Sequence, residues 1–463
     1  MKYYFLGICG TAMASLAILL KQKGHEVWGS DQNAYPPISD LLKLNNIEVI
    51  EGFHPENLKR PFDRAIIGNA LSRGNPEVEE ILNQNLPFAS LPETIRKEFI
   101  ENKTNIVVTG THGKTTTTAL MSWVLKNSGL SPTFLIGGIS RNFQTSAELG
   151  EGEFFVIEGD EYDSAFFDKR PKFMHYFPYY LIINNIEYDH SDIYQDLHHI
   201  ISEFQKLIRT VPQKGLIVAN GDDPNVRKAI EKTYSRVCLF GKSPNNDWSF
   251  KNVKSTSNGM EFSVLKNNSN FGDFSLPLFG TFQIYNALAV IAVAHDIGLD
   301  TNQIQAGFKS FLNVKRRLEY WGKLNGALFY DDFAHHPTAI RETLRAIKIK
   351  HPDKRIIVVF EPRTNTTVKN IFQKQIGEAL SIADIVIISP IYRAKRIPPK
   401  EQLSLEILKK DLENSNTKAI SVSNYPDIAN ILKKYAQNTD IIILMTNGNL
   451  GGEYAKIRQM IQN

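Results

Sequence analysis

Residues 105–118 read NIVVTGTHGKTTTT, and the reading of this stretch decides the fold. Ile106, Val107, Val108 and Thr109 form a β-branched run suited to a buried strand. Gly110 and Gly113 then let the backbone wrap around phosphates, and the helix that follows aims its N-terminal amides at them. Lys114 supplies a point charge to β- and γ-phosphates, and Thr115 supplies a hydroxyl to Mg²⁺. The general phosphate-loop pattern needs glycine at position 108, where Val108 stands, so the loop is a shorter G-T-H-G-K-T variant. Nucleotide binding is the strongest inference the residues support. The expected phosphate contacts are Gly110, Thr111, His112, Gly113, Lys114, Thr115 and Thr116.

Downstream, FFVIEGDE, YLIINNI and GLIVANGDD are further buried-strand candidates. The first two lead into EGDEYDSAFF and EYDHSDIY, which place acids and a histidine just past a strand end. Parallel strands present their C-terminal ends on one edge. Glu158 and His190 are therefore expected beside the phosphate loop, as metal or water-orienting groups. A capping role for the aspartates of D-H-S-D is the competing reading.

Outward from this centre the chain divides into three blocks. Residues 1–103 hold strands near 3–6, 26–29, 48–50 and 65–67, then a helical stretch, LPETIRKEFIENKTN, leading to a polar linker. Residues 104–313 hold the nucleotide loop. Their pattern changes at 248–279 to short alternating segments with Asn/Gly/Ser turns, an antiparallel addition at a sheet edge. A helix over 284–298 follows and stops at Gly298. Residues 314–463 carry ALFYDD, RIIVVFE, DIVIISP and DIIILMTNG as strands separated by helices. Strand and helix alternate from end to end, which predicts an α/β protein with mostly parallel sheets.

The first block opens with GICGTAMASLA, a strand, turn and helix start that attract a pyrophosphate. Cys9 stands where the middle glycine of a dinucleotide fingerprint belongs, and Ala12 where the last belongs. Asp31, about 20 residues further on, takes the place of a ribose-binding acid. Alone, the stretch favours a nicotinamide dehydrogenase.

Composition narrows the classes. Of 463 residues, 42% are hydrophobic and 22% charged, which suits a globular protein of two or three domains. The net charge of +4 is spread thinly, with short basic clusters VKRRLEY and YRAKRIPPK, so no nucleic-acid stripe is expected. Two cysteines, Cys9 and Cys238, make no C-x-x-C pair and imply neither a disulfide framework nor structural zinc. No run reaches the length of a membrane span and no signal-peptide layout is seen, so the expected location is cytoplasmic.

Taken in order, G-T-H-G-K-T-T, E-x-D-E-x-D, N-N-I-E-x-D-H-x-D, V-K-R-R and D-D-F-A-H-H-P resemble the Mur ligase family over essentially the whole chain. These are ATP-dependent amide-forming ligases of bacterial cell-wall assembly. The resemblance implies a Rossmann-like, UDP-sugar-binding first domain, a central P-loop ATPase with a mostly parallel sheet, and a Rossmann-like third domain that brings the amino substrate. GICGTAMASLA, SDQNAYPP, IGNALSRGNPEVE, DEYDSAFFDKR, FAHHPTAI and EPRTNT are similar to the branch that joins UDP-N-acetylmuramate to L-alanyl-γ-D-glutamyl-meso-diaminopimelate. The branch that adds L-alanine is the alternative. A dehydrogenase and a non-catalytic nucleotide-binding protein are the alternatives from other classes.

The resemblance also implies roles. Activating a carboxylate as the acyl donor calls for ATP and Mg²⁺, with Lys114 on the phosphates, Thr115 and Glu158 on the ion, and His190 near a second ion. Asn286 matches the final asparagine of G-x-H-N-x-x-N, expected near adenine, whereas Phe282 and Gln283 depart from the His-Asn of that pattern. Arg317 matches an arginine that reaches ATP, and Asp332 an acid near ribose and phosphates; His335 and His336 have a nearby or a packing role. Gly10, Thr11, Asp31, Asn69 and Ser72 are the expected UDP-sugar contacts. Arg363, Asn365 and Asn447 are the expected peptide contacts, a planar guanidinium suiting a carboxylate. Lys206 is the nearest candidate for the carbamylated lysine of some relatives and is assigned to the surface.

Overall fold

The structure is a computed structural model that describes residues 1–32, 34 and 38–462, without the side chain at 462. The end of the SDQNAYPP stretch lies outside the described residues. Three sheets succeed one another along the chain. The first is wholly parallel, in the order Glu48–Glu51, Glu26–Asp31, Lys2–Leu6, Arg64–Ile67, Phe88–Ser90. The helix Thr11–Gln22 crosses over between its two central parallel strands.

The second sheet has ten strands, and its centre positions the nucleotide loop. Thr104–Thr109 lies between Tyr180–Ile183 and Phe154–Glu158, all parallel. The chain ends that follow these three strands carry the loop, the His190 turn and the Glu158 turn. Trp248–Thr256, Gly259–Lys266 and Ser269–Leu276 form the antiparallel edge expected from the sequence. Helix Thr281–Ile297 then ends on Gly298 in the left-handed conformation.

The third sheet is parallel except for its edge strand Glu319–Leu324. Its central strand Arg355–Phe360 buries both faces: Ile356, Val358 and Phe360 enter one core, Ile357 and Val359 the other. That two-sided burial explains the unbroken apolar run of a parallel sheet strand.

The helical stretch expected over 91–105 is shorter in the structure. Helix Leu91–Ile95 starts on a capping box made by Ser90 and Glu93, passes into a wide turn Arg96–Ile100, and yields to the strand at Thr104. The strands Phe88–Ser90, Thr133–Leu135, Ala147–Glu148, Arg236–Phe240, Glu319–Leu324 and Lys418–Ser421 were not expected.

The domains touch. Ser15 bonds Ser146 at 2.8 Å and Phe167 packs edge-on against Phe88, joining the first domain to the second. Asn313, Arg316 and Leu318, all at positive φ, turn the chain into the third domain. Thr366 donates to Asp189 at 2.8 Å, and Asn365 to Asp192 at 2.7 Å, closing the third domain onto the second.

Candidate active site

The loop's last glycine, Gly113, adopts φ +84° and caps helix Lys114–Asn127. That geometry leaves the Lys114 and Thr115 side chains at the C-terminal edge of the sheet. Lys114 Nζ donates to the Gly110 carbonyl at 2.7 Å and to both oxygens of Glu161, at 3.0 and 2.8 Å. Burial alone would depress this ammonium, but Glu161, Asp160 and Glu158 outweigh it and hold the lysine above its ordinary pKa.

Thr115 Oγ1 donates to Glu158 Oε1 at 3.1 Å, and the Gly137 amide donates to Glu158 Oε2 at 2.9 Å. Burial pushes the Glu158 carboxyl up from its ordinary value, against the pull of Lys114 and Arg317. A hydroxyl and a half-buried carboxylate side by side are hard oxygen donors, and they fit Mg²⁺.

His190 is placed elsewhere. Its Nε2 lies 3.1 Å from Glu161 Oε1, not against Glu158. Burial opposes its charging, yet Glu161, Asp189 and Asp160 raise its pKa. Glu161, only 3% exposed, thus bridges Lys114 and His190, and both hold it low against the cost of burial. Sequence reasoning did not single out Glu161; the four acids of E-x-D-E-x-D were the available signal. Thr115 and Glu158 thus meet as expected for one ion, and His190, expected near a second, faces Glu161 beside Lys114.

A cavity of about 260 Å³ opens beside the loop. His112, Gly113, Asn286, Phe282, Tyr285 and, from the third domain, Glu342 are among its walls. Gln283 replaces the asparagine of the family pattern and accepts a 3.1 Å bond from Asn286 Nδ2, so it orients that amide. Tyr285 is fixed by a 2.8 Å bond to Asp222.

The third domain supplies Arg317 and Asp332 at the same edge. Asp332 is 4% exposed and accepts from the Leu318 and Ala334 amides at 2.7 and 2.8 Å. It thereby holds the turn that carries Arg317. His336 caps helix Pro337–Lys350 through Nδ1, and its Nε2 lies 3.2 Å from the Tyr188 carbonyl. The His112 and His336 rings sit 4.5 Å apart around Glu187, whose Oε2 also accepts from Thr338 at 2.7 Å. His335 lies 3.0 Å from the Phe333 carbonyl through Nδ1.

Arg363 lies 3.8 Å from the Tyr392 ring and 3.3 Å from Glu361. Gly448 passes directly under its guanidinium. Asn447 Oδ1 is buried beside it, and no group among the described residues donates to it. Asn365 instead spends its amide on Asp192. In the first domain Gly10 caps helix Thr11–Gln22, Thr11 is exposed, and Asp31 accepts from the Cys9 amide at 2.9 Å. Asp31 thus shapes the GICG turn. Asn69 reaches the Asp163 carbonyl at 3.5 Å, in the segment that begins at Glu158, and the exposed Ser72 hydroxyl donates to the Arg73 carbonyl at 3.4 Å. Lys206 pairs with Glu203 on the surface. Among the described residues no helix is long and apolar enough to cross a membrane.

Comparison with known proteins matches the three blocks in order. The description "Mur ligase family, catalytic domain" fits residues 2–100, "Mur ligase middle domain" residues 108–294, and "Mur ligase, glutamate ligase domain" residues 316–448. The chain is 40% identical over 460 residues to the UDP-N-acetylmuramate–L-alanyl-γ-D-glutamyl-meso-2,6-diaminoheptandioate ligase of Escherichia coli (strain K12), covering 99% of this chain and 97% of that one. It is similar to the solved murein peptide ligase of Psychrobacter arcticus 273-4, with 32% identity, a TM-score of 0.78 and coverage of 100% and 99%. It is also similar to the UDP-N-acetylmuramate–alanine ligase of Thermotoga maritima, with 25% identity, a TM-score of 0.84 and the same coverage. Identity and TM-score rank these two structures oppositely. In a chain of three domains the TM-score is sensitive to how the domains are set against one another, so identity is the better guide to substrate.

Proposed function

Because the chain belongs to the Mur ligase family, we propose that it is an ATP-dependent ligase that joins UDP-N-acetylmuramate to L-alanyl-γ-D-glutamyl-meso-diaminopimelate. The product would return a cell-wall peptide to a nucleotide-linked precursor, a recycling reaction of the cytoplasm, where both nucleotides are available. One observation carries the mechanism: Lys114, Thr115 and Glu158 converge at a sheet edge that the third domain closes from the far side.

A carboxylate is a poor acyl donor, so the lactyl carboxylate must first be activated. Its oxygen attacks the γ-phosphorus of ATP, the bond to the bridging β–γ oxygen breaks, and ADP leaves. The peptide amine then attacks the acyl carbon, loses a proton, and inorganic phosphate departs. The first step brings two anions together, and positioned positive charge is what lowers its barrier. Lys114 follows the phosphates, and Arg317, held by the Asp332 turn, approaches from the third domain. Thr115 and Glu158 would hold Mg²⁺, which when bound neutralises phosphate charge. Asn286 and Phe282 would line the base. Gly10, Thr11, Asp31, Asn69 and Ser72 would hold the UDP-sugar, with Asn69 next to the segment that carries Glu158. Arg363 and Asn447 would receive the peptide.

The test is phosphate release from ATP, Mg²⁺ and UDP-N-acetylmuramate with tripeptide, with L-alanine, or with neither. Release with tripeptide is expected. Turnover with L-alanine alone, the outcome favoured by the higher TM-score of the alanine ligase, refutes the proposed substrate.

A further inference from the structure

The trio His112, Glu187 and His336 carries no step of the chemistry above. Its members come from three places in the fold. His112 belongs to the phosphate loop, Glu187 follows strand Tyr180–Ile183, and His336 opens helix Pro337–Lys350 of the third domain. One side-chain donor atom of each lies within 4.8 Å of the others. Glu187 Oε2 is 3.5 Å from His112 Nε2 and 3.7 Å from His336 Nδ1. Donors bound to a tetrahedral Zn²⁺ at about 2.0–2.1 Å stand about 3.3 Å from one another. Both carboxylate–imidazole pairs are already close to that spacing.

Each member is also held as a ligand needs to be held. His336 Nε2 lies 3.2 Å from the Tyr188 carbonyl, which only accepts, so that nitrogen carries the proton and Nδ1 offers a lone pair. Nδ1 accepts the Thr338 amide at 3.3 Å, a long bond that ligation would replace. The Thr338 hydroxyl fixes Glu187 Oε2 at 2.7 Å. Asn185 grips the His112 backbone from both sides, accepting from its amide at 2.8 Å and donating to its carbonyl at 3.1 Å. His112 Nε2 itself is buried and, among the described residues, makes no hydrogen bond. A plain ion pair between His112 and Glu187 would leave that nitrogen short of a hydrogen bond; a cation between the two would satisfy both. Burial, with His112 beside it, pushes the His336 imidazole below its ordinary pKa, and against the cost of burial His112 and Thr338 hold the Glu187 carboxyl low. Neutral imidazole and ionised carboxylate are the forms that bind metal.

We propose that His112, Glu187 and His336 form a site for one Zn²⁺-class divalent cation, separate from the Thr115–Glu158 pair, that ties the phosphate loop to the third domain. Two imidazoles and one carboxylate suit Zn²⁺, whereas Mg²⁺ prefers oxygen donors alone. Three protein donors leave a fourth position for water.

The experiment titrates Zn²⁺ by calorimetry into the metal-stripped full chain, free of any histidine tag, with excess Mg²⁺ and no nucleotide. One Zn²⁺ per chain is expected, undisturbed by Mg²⁺, with a higher thermal midpoint when it is bound. Co²⁺ in its place should show the visible spectrum of a four-coordinate ion. Glu187→Gln and His336→Asn should each weaken Zn²⁺ binding by at least about a hundred-fold, and Thr338→Val, which removes only the hydroxyl behind Glu187, by about ten-fold. Gln keeps an acceptor for Thr338, and Asn keeps a helix-capping oxygen. If wild type binds no Zn²⁺, or if Glu187→Gln and His336→Asn keep its stoichiometry and affinity, the inference is overturned. A six-coordinate Co²⁺ spectrum in wild type overturns it as well, with no variant needed. No amino substrate enters these measurements, so they stand or fall apart from the tripeptide reading.

Discussion

Substituting alanine for Gly113 separates backbone strain from nucleotide contact. Gly113 sits at φ +84°, where an L-residue costs about 1–2 kcal/mol. A Cβ at this position would stand 2.5 Å from Asn286 Oδ1 and 3.0 Å from Asn184 Nδ2. Ordinary contact begins at 3.4 Å, so the Asn286 amide must retreat by 0.9 Å (3.4 − 2.5). Retreat breaks its 3.1 Å bond to Gln283 and withdraws it from the cavity wall. Losing that oriented amide costs about 1.4–2.8 kcal/mol of ATP binding, or about ten- to hundred-fold in KM. The backbone cost alone should lower the unfolding midpoint by roughly 2–8 °C. Gly129→Ala is the control: φ there is +81°, and nothing lies within 4 Å of the added carbon. Both variants should lose similar stability in a thermal melt, while Gly113→Ala alone should raise the ATP KM in the phosphate-release assay. Equal ATP KM values for the two variants would refute the placement of Asn286 at the nucleotide.

Other outcomes follow from single contacts. Lys114→Ala should abolish turnover while calorimetry still detects UDP-N-acetylmuramate, because the sugar nucleotide is assigned to another domain; equal loss of both argues against that division. Gly448→Ala should displace the Arg363 guanidinium lying on it and raise the tripeptide KM with little change in the ATP KM. Burial pushes the Asp331 carboxyl up to about 7, against the pull of Arg316 and Tyr454. A folded-state pKa above the unfolded 3.8 means that this stability is full below about pH 4 and is lost as pH rises through 7. The melting midpoint should therefore fall between pH 5 and 8, and less steeply in Asp331→Asn; parallel curves for the two proteins count against it.

The phosphate loop and the central strands were legible because each is a β-branched or apolar run closed by a glycine or an acid. Residues 106–109 and 180–183 could hardly be anything else. The missed strands Thr133–Leu135 and Phe88–Ser90 have three residues each, too few for a periodicity to form. Lys418–Ser421 is an edge strand of four residues with mixed burial, and its identity comes from pairing with Ile385–Ile388. In the site, local spacing placed Thr115 and Glu158 correctly near one another. His190, expected near a second ion, turns its imidazole toward Glu161, a residue that the spacing did not single out. The chain leaves its strand at Glu158, so side-chain direction beyond it no longer follows strand alternation. Only the tertiary path decides which of Glu158, Asp160 and Glu161 reaches the lysine. Contacts across the domain seam, such as Thr366 with Asp189 and Asn365 with Asp192, have no local sequence signal at all.

That turn of the chain gives Glu161 a role that can be isolated. In this structure the Lys114 ammonium is held by Glu161, and the same carboxylate holds His190. A γ-phosphate arriving at Lys114 must compete with Glu161 for the ammonium, while Glu161 keeps the lysine and histidine aligned. Glu161→Gln keeps the shape and removes the charge. Less negative charge beside a polyphosphate favours ATP, so its KM should not rise. Loss of the ion pair should let Lys114 and His190 drift, and kcat should fall by about ten- to hundred-fold. Glu161 is also the first charge that raises the pKa of His190, so any acid limb of the kcat profile set by His190 should move to lower pH in the variant. A raised ATP KM with kcat and pH profile unchanged would mean that Glu161 only shapes the nucleotide pocket. The fall in kcat without loss of ATP binding is what distinguishes a positioning carboxylate from a binding one.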